Sequence, residues 1–275
     1  MAKSEGIQRW SALLEETTTG WDFAEHTDMD EDPEPWDYRQ IARDHLRVSH
    51  RALDLGTGGG ELLASFGEDL PQTVAATEGW APNLPVAAER LEPLGITVHE
   101  HDSESGEPLP FPDDSFDLVL ARHESYDPAE VARVLGPDGV LVTQQVGGED
   151  LADITEALGG TAPYPEVTLV EFERALMCAG MTVERADTFT GAYRFRDLEA
   201  LLRFLARIPW MLPEGFDPVR DAARLEELRR RADVGELTGV LSRFLLVART
   251  PSPTDHGRLD HSRLRAEDNR EVREI

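Results

Sequence analysis

The whole chain holds one cysteine, Cys178, and one lysine, Lys3. A single thiol excludes an internal disulfide framework and any zinc or iron–sulfur centre built on several cysteines. Nowhere is there the run of roughly 18–20 apolar residues that a membrane-spanning helix needs. Cations are scarce as well: 27 Lys and Arg stand against 54 Asp and Glu, a formal net charge of −27. Such a field repels phosphate backbones and disfavours broad nucleic-acid binding, while it favours solubility. The N-terminal stretch is polar and acidic rather than signal-like, and a cytoplasmic protein is expected.

What is present is ordinary for a globular protein. Apolar residues make up 40% and there are 22 glycines, enough for a sizeable core. Four zones can be told apart. Residues 1–46 are acidic and rich in tryptophan (Trp10, Trp21, Trp36), with a charged, proline-punctuated loop at Asp28-Met-Asp-Glu-Asp-Pro-Glu-Pro-Trp36 and a short helix over 40–46. Residues 47–250 form the main domain. Within it, 191–238 read as a helical insertion, and 251–275 read as a polar, disordered tail.

From 47 to 190, strand-like and helix-like patterns alternate. Strands are expected at 51–55, 73–77, 96–100, 116–121 and 140–145, with helices after the first to about Phe66 and at 85–94, 129–135 and 171–179. Later strands are expected at 181–186 and 243–248, and a turn at Gly136-Pro-Asp-Gly139. Alternation with short connections implies βαβ units and a doubly wound, mainly parallel α/β sheet.

The chemistry centres on Asp54-Leu-Gly56-Thr57-Gly58-Gly-Gly-Glu61, between the first strand and its helix. Glycines let the chain turn tightly and let a ligand approach the backbone, at the strand ends where open α/β sheets bind ligands. Glu78 closes the second strand twenty residues after Gly58, the distance at which an acid hydrogen-bonds a ribose diol. Together these predict an adenosine-containing ligand. The dinucleotide fingerprint would require glycine at position 61, where Glu61 stands, and a carboxylate there opposes a pyrophosphate. Asp54 adds a second acid. Acids suit a cationic ligand without phosphate, such as S-adenosylmethionine, whose carboxylate the loop N–H groups can take.

At these residues the sequence resembles the class I, Rossmann-like S-adenosylmethionine-dependent methyltransferases. The resemblance covers 48–190 and rests on Asp54-Leu-Gly-Thr-Gly58, Glu78, Asp102-Ser103, Leu109-Pro-Phe-Pro-Asp-Asp-Ser-Phe-Asp117 and Arg133-Val-Leu-Gly-Pro-Asp-Gly139. Ala76-Thr-Glu-Gly-Trp80, Arg122-His-Glu-Ser125, Thr143-Gln-Gln-Val-Gly147 and Ile208-Pro-Trp210 further resemble an uncharacterised bacterial subgroup. The resemblance implies a seven-stranded sheet with its last strand antiparallel. It implies that Gly56, Thr57 and Gly58 line the methionine part, and that Asp54 holds the ammonium. Glu78 would bind the ribose, Asp102 backed by Ser103 the adenine amino group, and Gly79 and Trp80 stand where an aliphatic residue covers the adenine. Arg122 and His123 would sit beside the methyl group.

His123 is a candidate general base, since unperturbed histidine titrates near neutral pH. The plainer alternative is a histidine that only shapes the pocket, because positioning alone supplies much of the rate of an in-line transfer. His99 and His101 share a strand face but lack further ligands at metal spacing, so no metal site is expected. There is no Gly-x-Ser-x-Gly elbow and no P-loop lysine. Trp21, Phe23, Trp36 and Tyr38 are expected to dock the N-terminal segment as a lid, with 191–238 forming the wall of the acceptor pocket. The expected function is methyl transfer from S-adenosylmethionine to a small-molecule acceptor. An RNA methyltransferase, a non-catalytic S-adenosylmethionine-binding module and, less favoured, an NAD-dependent oxidoreductase are the rivals.

Overall fold

A computed structural model describes residues 2–15 and 28–252. Trp21, Phe23, His256, His261 and the expected tail beyond 252 lie outside the described residues. In chain order the elements are α1 (Ala2–Leu14), β1 (Met29–Glu31), α2 (Tyr38–Leu46), β2 (Arg51–Leu55), α3 (Glu61–Ala64), β3 (Thr73–Glu78), α4 (Leu84–Leu91), β4 (Thr97–Glu100), β5 (Phe116–Arg122), α5 (Pro128–Val134), β6 (Leu135–Val146), α6 (Ala152–Ala157), α7 (Leu169–Cys178), β7 (Thr182–Phe195), α8 (Leu198–Arg207), α9 (Ala222–Asp233) and β8 (Thr238–Arg249).

All eight strands form one sheet, ordered β1-β7-β8-β6-β5-β2-β3-β4. Strands β2 to β6 pair in parallel, and β8 runs antiparallel between β6 and β7. In β5, Leu118 and Leu120 face one side while Val119 and Ala121 face the other, so a near-continuous apolar run fills a strand covered on both faces. Helices α2 and α4 bring Ala42, Leu46, Ala87 and Leu91 onto the first face. Helices α5 and α7 bring Val131, Val134 and Leu176 onto the second. Side-chain caps start three of these helices, α2, α5 and α7: Asp37 accepts from Gln40 N–H, Asp127 from Ala129 N–H and Thr168 from Glu171 N–H.

The sheet has eight strands where the resemblance implied seven. The extra one, β1, comes from the acidic stretch expected as a loop. It pairs antiparallel with Tyr193, Arg194 and Phe195. Acids around it meet arginines of β7, of α8 and of the turn between them: Asp32 accepts from Arg194 at 2.6 Å, and Asp28 pairs with Arg203 at 2.8 Å and with Arg196. The charges that suggest a loop along the sequence are what fasten the strand in three dimensions.

The stretch 191–238 also differs from a purely helical insertion. Its first residues, to Phe195, complete β7, and Thr238 starts β8. Both strands run well past the lengths expected for them. Their overhang is covered by α1, α6, α8 and α9 in a separate apolar cluster that includes Trp10, Leu13, Ile154, Leu201, Leu205, Leu225 and Leu241. Asp197 caps α8 through Ala200 N–H, and Leu198, Leu201, Leu202 and Leu205 give it one buried stripe. The Gly136–Gly139 turn lies inside the span of β6, with Asp138 at φ +58°. Among the described residues no helix is long and apolar enough to cross a membrane.

Candidate functional site

The glycine loop lies where β2 ends. Gly56, Gly58 and Gly60 have φ of +61°, +63° and +78°, a left-handed path that glycine takes without steric cost. Four loop amides are already used: Gly56 N–H donates to Thr77 Oγ1 at 3.3 Å, Thr57 N–H to Thr77 O at 2.8 Å, Gly58 N–H to Glu78 Oε2 at 2.6 Å and Gly60 N–H to Thr57 O at 3.0 Å. The loop therefore is not the open nest of amides expected to take a carboxylate, because the strand beside it takes three of those donors and Thr57 O the fourth. Glu61 is also placed differently from expectation. It is paired with Arg90, which also bonds Gly59 O, so its charge is offset. The case against a pyrophosphate passes to the acids behind the loop.

Those acids converge. Asp54 is 8% exposed and Glu78 5%. Glu78 accepts from Gly58 N–H with one oxygen and from Trp80 N–H with the other, at 2.7 Å. Burial pushes the Asp54 carboxyl up to about 7, opposed by the Thr57 hydroxyl and assisted by the charges of Glu78 and Glu124. Burial likewise raises Glu78, against the amides that hold it. Glu124, just past β5, is pushed up to about 7 by burial, opposed by its bond from Ser103 and assisted by Glu78, Glu104 and Asp102. Its Oε1 accepts from Ser103 Oγ at 2.7 Å, and the side chain lies directly over Gly56. Ser103 thus backs Glu124 rather than Asp102. Asp102 is exposed at the rim, with Oδ1 accepting from Glu104 N–H at 2.9 Å. Trp80 is 58% exposed beside Glu78. A cleft lined by Thr77, His101, Ser103, Leu109, Glu124 and Tyr126 opens between these groups and α5. Arg133 holds its outer wall by donating to Phe111 O at 2.7 Å and Leu109 O at 3.1 Å.

On the other side of β5 lies a second set of groups. Arg122 and Gln144 are cross-strand partners on β5 and β6. The Gln144 side chain accepts from Trp36 Nε1 at 2.7 Å, and its Nε2 lies 3.2 Å from His123 Nε2 and 3.5 Å from Glu34 Oε1. His123 has φ +59°, a conformation that costs a non-glycine residue energy and clusters at functional sites. The residue is exposed, yet the crowding of the surrounding protein, then Arg122 and Arg243, hold its pKa well below the ordinary histidine value. Arg122 lies over the Tyr38 ring, 6.0 Å from its centroid. The Tyr38 hydroxyl is buried without a hydrogen-bond partner among the described residues, in the field of Asp54 and Arg122. Beneath them Arg243 pairs with Asp150 at 2.6 Å, both side chains 8% exposed, and donates to the Tyr193 hydroxyl.

The fold thus brings Asp54, Gly56, Thr57, Gly58, Glu78, Trp80, Ser103, Arg122 and His123 to one end of the sheet, with Asp102 at its rim. Gln145 turns away from Gln144, as alternation along a strand requires, and braces the Glu124 backbone carbonyl at 2.9 Å. His99 packs edge-on against Phe111 at 4.9 Å, an apolar use for a residue that the sequence alone leaves open. Reasoning from sequence missed Glu124, Glu34 and the Arg243–Asp150–Tyr193 cluster as parts of this region. Only the position of Glu124 after β5 signalled it. The others are distant in sequence and meet through β1, β7 and β8.

Residues 53–143 match the methyltransferase domain family model. The uncharacterized methyltransferase YcgJ of Bacillus subtilis is 31% identical over 112 residues, 38% of this chain and 44% of that protein. The ubiquinone/menaquinone biosynthesis C-methyltransferase UbiE of Pseudoalteromonas translucida is 36% identical over 117 residues, 39% and 47% of the two chains. These matches span somewhat under half the length of the curated relatives. A functionally unknown protein from Deinococcus radiodurans superposes with a TM-score of 0.57 at 16% identity, over 88% of this chain and 99% of that one. Over residues 53–143 the chain is similar to a methyltransferase domain, and its sheet shares the α/β fold of its structural neighbours.

Proposed function

We propose that this protein transfers the methyl group of S-adenosylmethionine to a small-molecule acceptor. The observation that carries the reading is the convergence of Asp54, Glu78 and Glu124 behind a glycine loop whose amides are already bonded. A pyrophosphate would find few free donors there and three carboxylates, so the NAD reading loses its binding site. A sulfonium with an α-ammonium meets complementary charge.

The residues fit that group. Glu78, fixed by two amides, presents a carboxylate edge to a ribose diol. Asp54 and Glu124 face the ammonium and sulfonium region. The orphaned Tyr38 hydroxyl, buried beside Asp54 and Arg122, is a polar group that a ligand carboxylate would satisfy. Trp80 and the Ser103–Leu109 side of the cleft flank the adenine position. When bound, S-adenosylmethionine supplies an electrophilic methyl carbon bonded to a cationic sulfur. The chain's part is to bind, orient and exclude water. Arg122, His123 and Gln144 stand at the ends of β5 and β6, where the acceptor would approach. Trp36 and β1 form the N-terminal lid over it, and α8 and α9 cover the adjoining overhang of β7 and β8 as the outer wall of the acceptor side.

Calorimetric titration with S-adenosylmethionine, S-adenosylhomocysteine and NAD tests the cofactor. Saturable binding of the first two and none of NAD is expected; binding of NAD alone would overturn the reading. Transfer of labelled methyl from S-adenosylmethionine into a bacterial metabolite extract then separates an enzyme from a non-catalytic binding module. Removing 197–235 should weaken acceptor capture and leave cofactor binding intact.

A further inference from the structure

The Trp36–Gln144–His123 chain decides more than the position of three side chains. An indole N–H can only donate, so the Gln144 group 2.7 Å from Trp36 Nε1 is the amide oxygen. The amide NH2 is then turned the other way, toward His123 Nε2 at 3.2 Å and Glu34 Oε1 at 3.5 Å. An N–H facing a ring nitrogen needs a lone pair there, so the remaining proton of the imidazole sits on Nδ1. That nitrogen has no partner among the described residues, and the residue is exposed. The His123 amide also donates to Gln144 O at 2.8 Å, so backbone and side chain of Gln144 grip the same residue in its left-handed conformation.

We propose that Trp36 is a positioning residue which, through the Gln144 amide, holds His123 as the neutral Nδ1–H tautomer, so that His123 offers the methyl acceptor a hydrogen-bond donor and no base. The basic lone pair of a neutral histidine is on Nε2 in this tautomer, and Gln144 occupies it. The groups facing the ring agree. The crowding of the surrounding protein disfavours an imidazolium, and Arg122 on β5 and Arg243 on β8 add to it. Glu34, before α2, bonds the Gln144 amide rather than the ring, and Glu31 on β1 faces Arg122 and Arg243. Arg122, the other group at the end of β5, is also purely a donor. An acceptor atom held against this pair must accept hydrogen bonds. The inference rests on the reading of the ends of β5 and β6 as the acceptor side, but the protonation pattern does not depend on a ligand.

Long-range ¹H–¹⁵N NMR of histidine-labelled full-length protein reads the tautomer directly. In the wild type, the His123 pair is expected to show a pyrrole-like Nδ1 and a pyridine-like Nε2, unchanged between pH 6 and 8.5. Trp36→Phe keeps a ring against Phe189, 6.4 Å away between centroids, but removes the donor; Gln144 is then free to turn, and the two tautomers should mix. Gln144→Glu puts a carboxylate against Nε2 and should reverse the tautomer and raise the His123 pKa by a unit or more. A wild-type Nε2–H tautomer, an imidazolium at pH 7, or a Trp36→Phe spectrum identical to wild type would each overturn the proposal. Failure of the cofactor titration would instead strike the function reading and leave the tautomer result standing.

Discussion

Glu124 and Gly56 share one space. The Glu124 side chain, held by Ser103, lies where a β-carbon on Gly56 would stand, and Gly56 itself has φ +61°. Gly56→Ala therefore meets both an unfavourable backbone and an occupied neighbour. A left-handed conformation costs a non-glycine residue about 1–2 kcal/mol, so a lowered melting temperature is expected. Loss of S-adenosylmethionine binding should exceed what that destabilisation explains, because the displaced Glu124 carboxylate moves within the site. Thermal melts and calorimetry on the same variant check both effects.

Asp54 and Glu124, each pushed up to about 7, make cofactor binding pH-dependent. A cationic ligand favours the ionised carboxylates, so binding should release protons near pH 7 and tighten as pH rises from 6 to 8. Calorimetry in buffers of different ionisation heat measures the protons released. For the free protein the sign is opposite. An acid whose folded pKa is raised contributes most below its unfolded pKa, and that contribution is lost as pH rises through the folded value. Glu124→Gln should thus melt higher than wild type at pH 8 and nearly the same at pH 4. Equal pH dependence in the two proteins would remove Glu124 as a titrating group.

Glu78 is committed to two amides before any ribose arrives. In Glu78→Gln one of those N–H groups faces an NH2. An unsatisfied buried donor costs about 1–3 kcal/mol, and the ribose loses a carboxylate acceptor. At least a tenfold weaker affinity for both S-adenosylmethionine and S-adenosylhomocysteine is expected, with the fold retained by circular dichroism.

Arg243 and Asp150 form a buried pair between β8 and the turn before α6, with Ser242 N–H also donating to Asp150 at 2.8 Å. Arg243→Met leaves a buried carboxylate without its cation, which costs about 3–5 kcal/mol. The loss should be smaller at pH 5 than at pH 8, because protonation relieves the orphaned Asp150, whose pKa burial already raises. Replacing both residues by apolar ones should recover most of the stability. Chemical denaturation of the single and double variants at the two pH values measures the difference.

The parallel core was legible because its signals are local. Apolar runs such as Phe116–Arg122 need only their own residues to declare a strand covered on both faces. The Asp54–Gly58 loop and Glu78 carry their meaning in their spacing. Helices were legible where apolar spacing is one-sided, as in α4, where Ala87 and Leu91 are buried. Strand β1 was not legible, because the acids that flank it, Asp28 and Asp32, fasten it only when Arg194, Arg196 and Arg203 arrive from far along the chain. The lengths of β7 and β8 were hidden for a related reason. Their overhanging halves are buried by helices from both ends of the chain.

At the site, then, residue type and spacing alone singled out the glycine loop and the acids around it. Only the tertiary structure decided which groups are free to act. It spent the loop amides on Thr77 and Glu78, offset Glu61 with Arg90, and set Glu124 over the glycines. It also turned the Gln144 amide toward His123. Each of these is a hydrogen bond or ion pair between strands or loops remote in sequence. A donor's one proton or an acceptor's lone pair is committed only when its partner is in place.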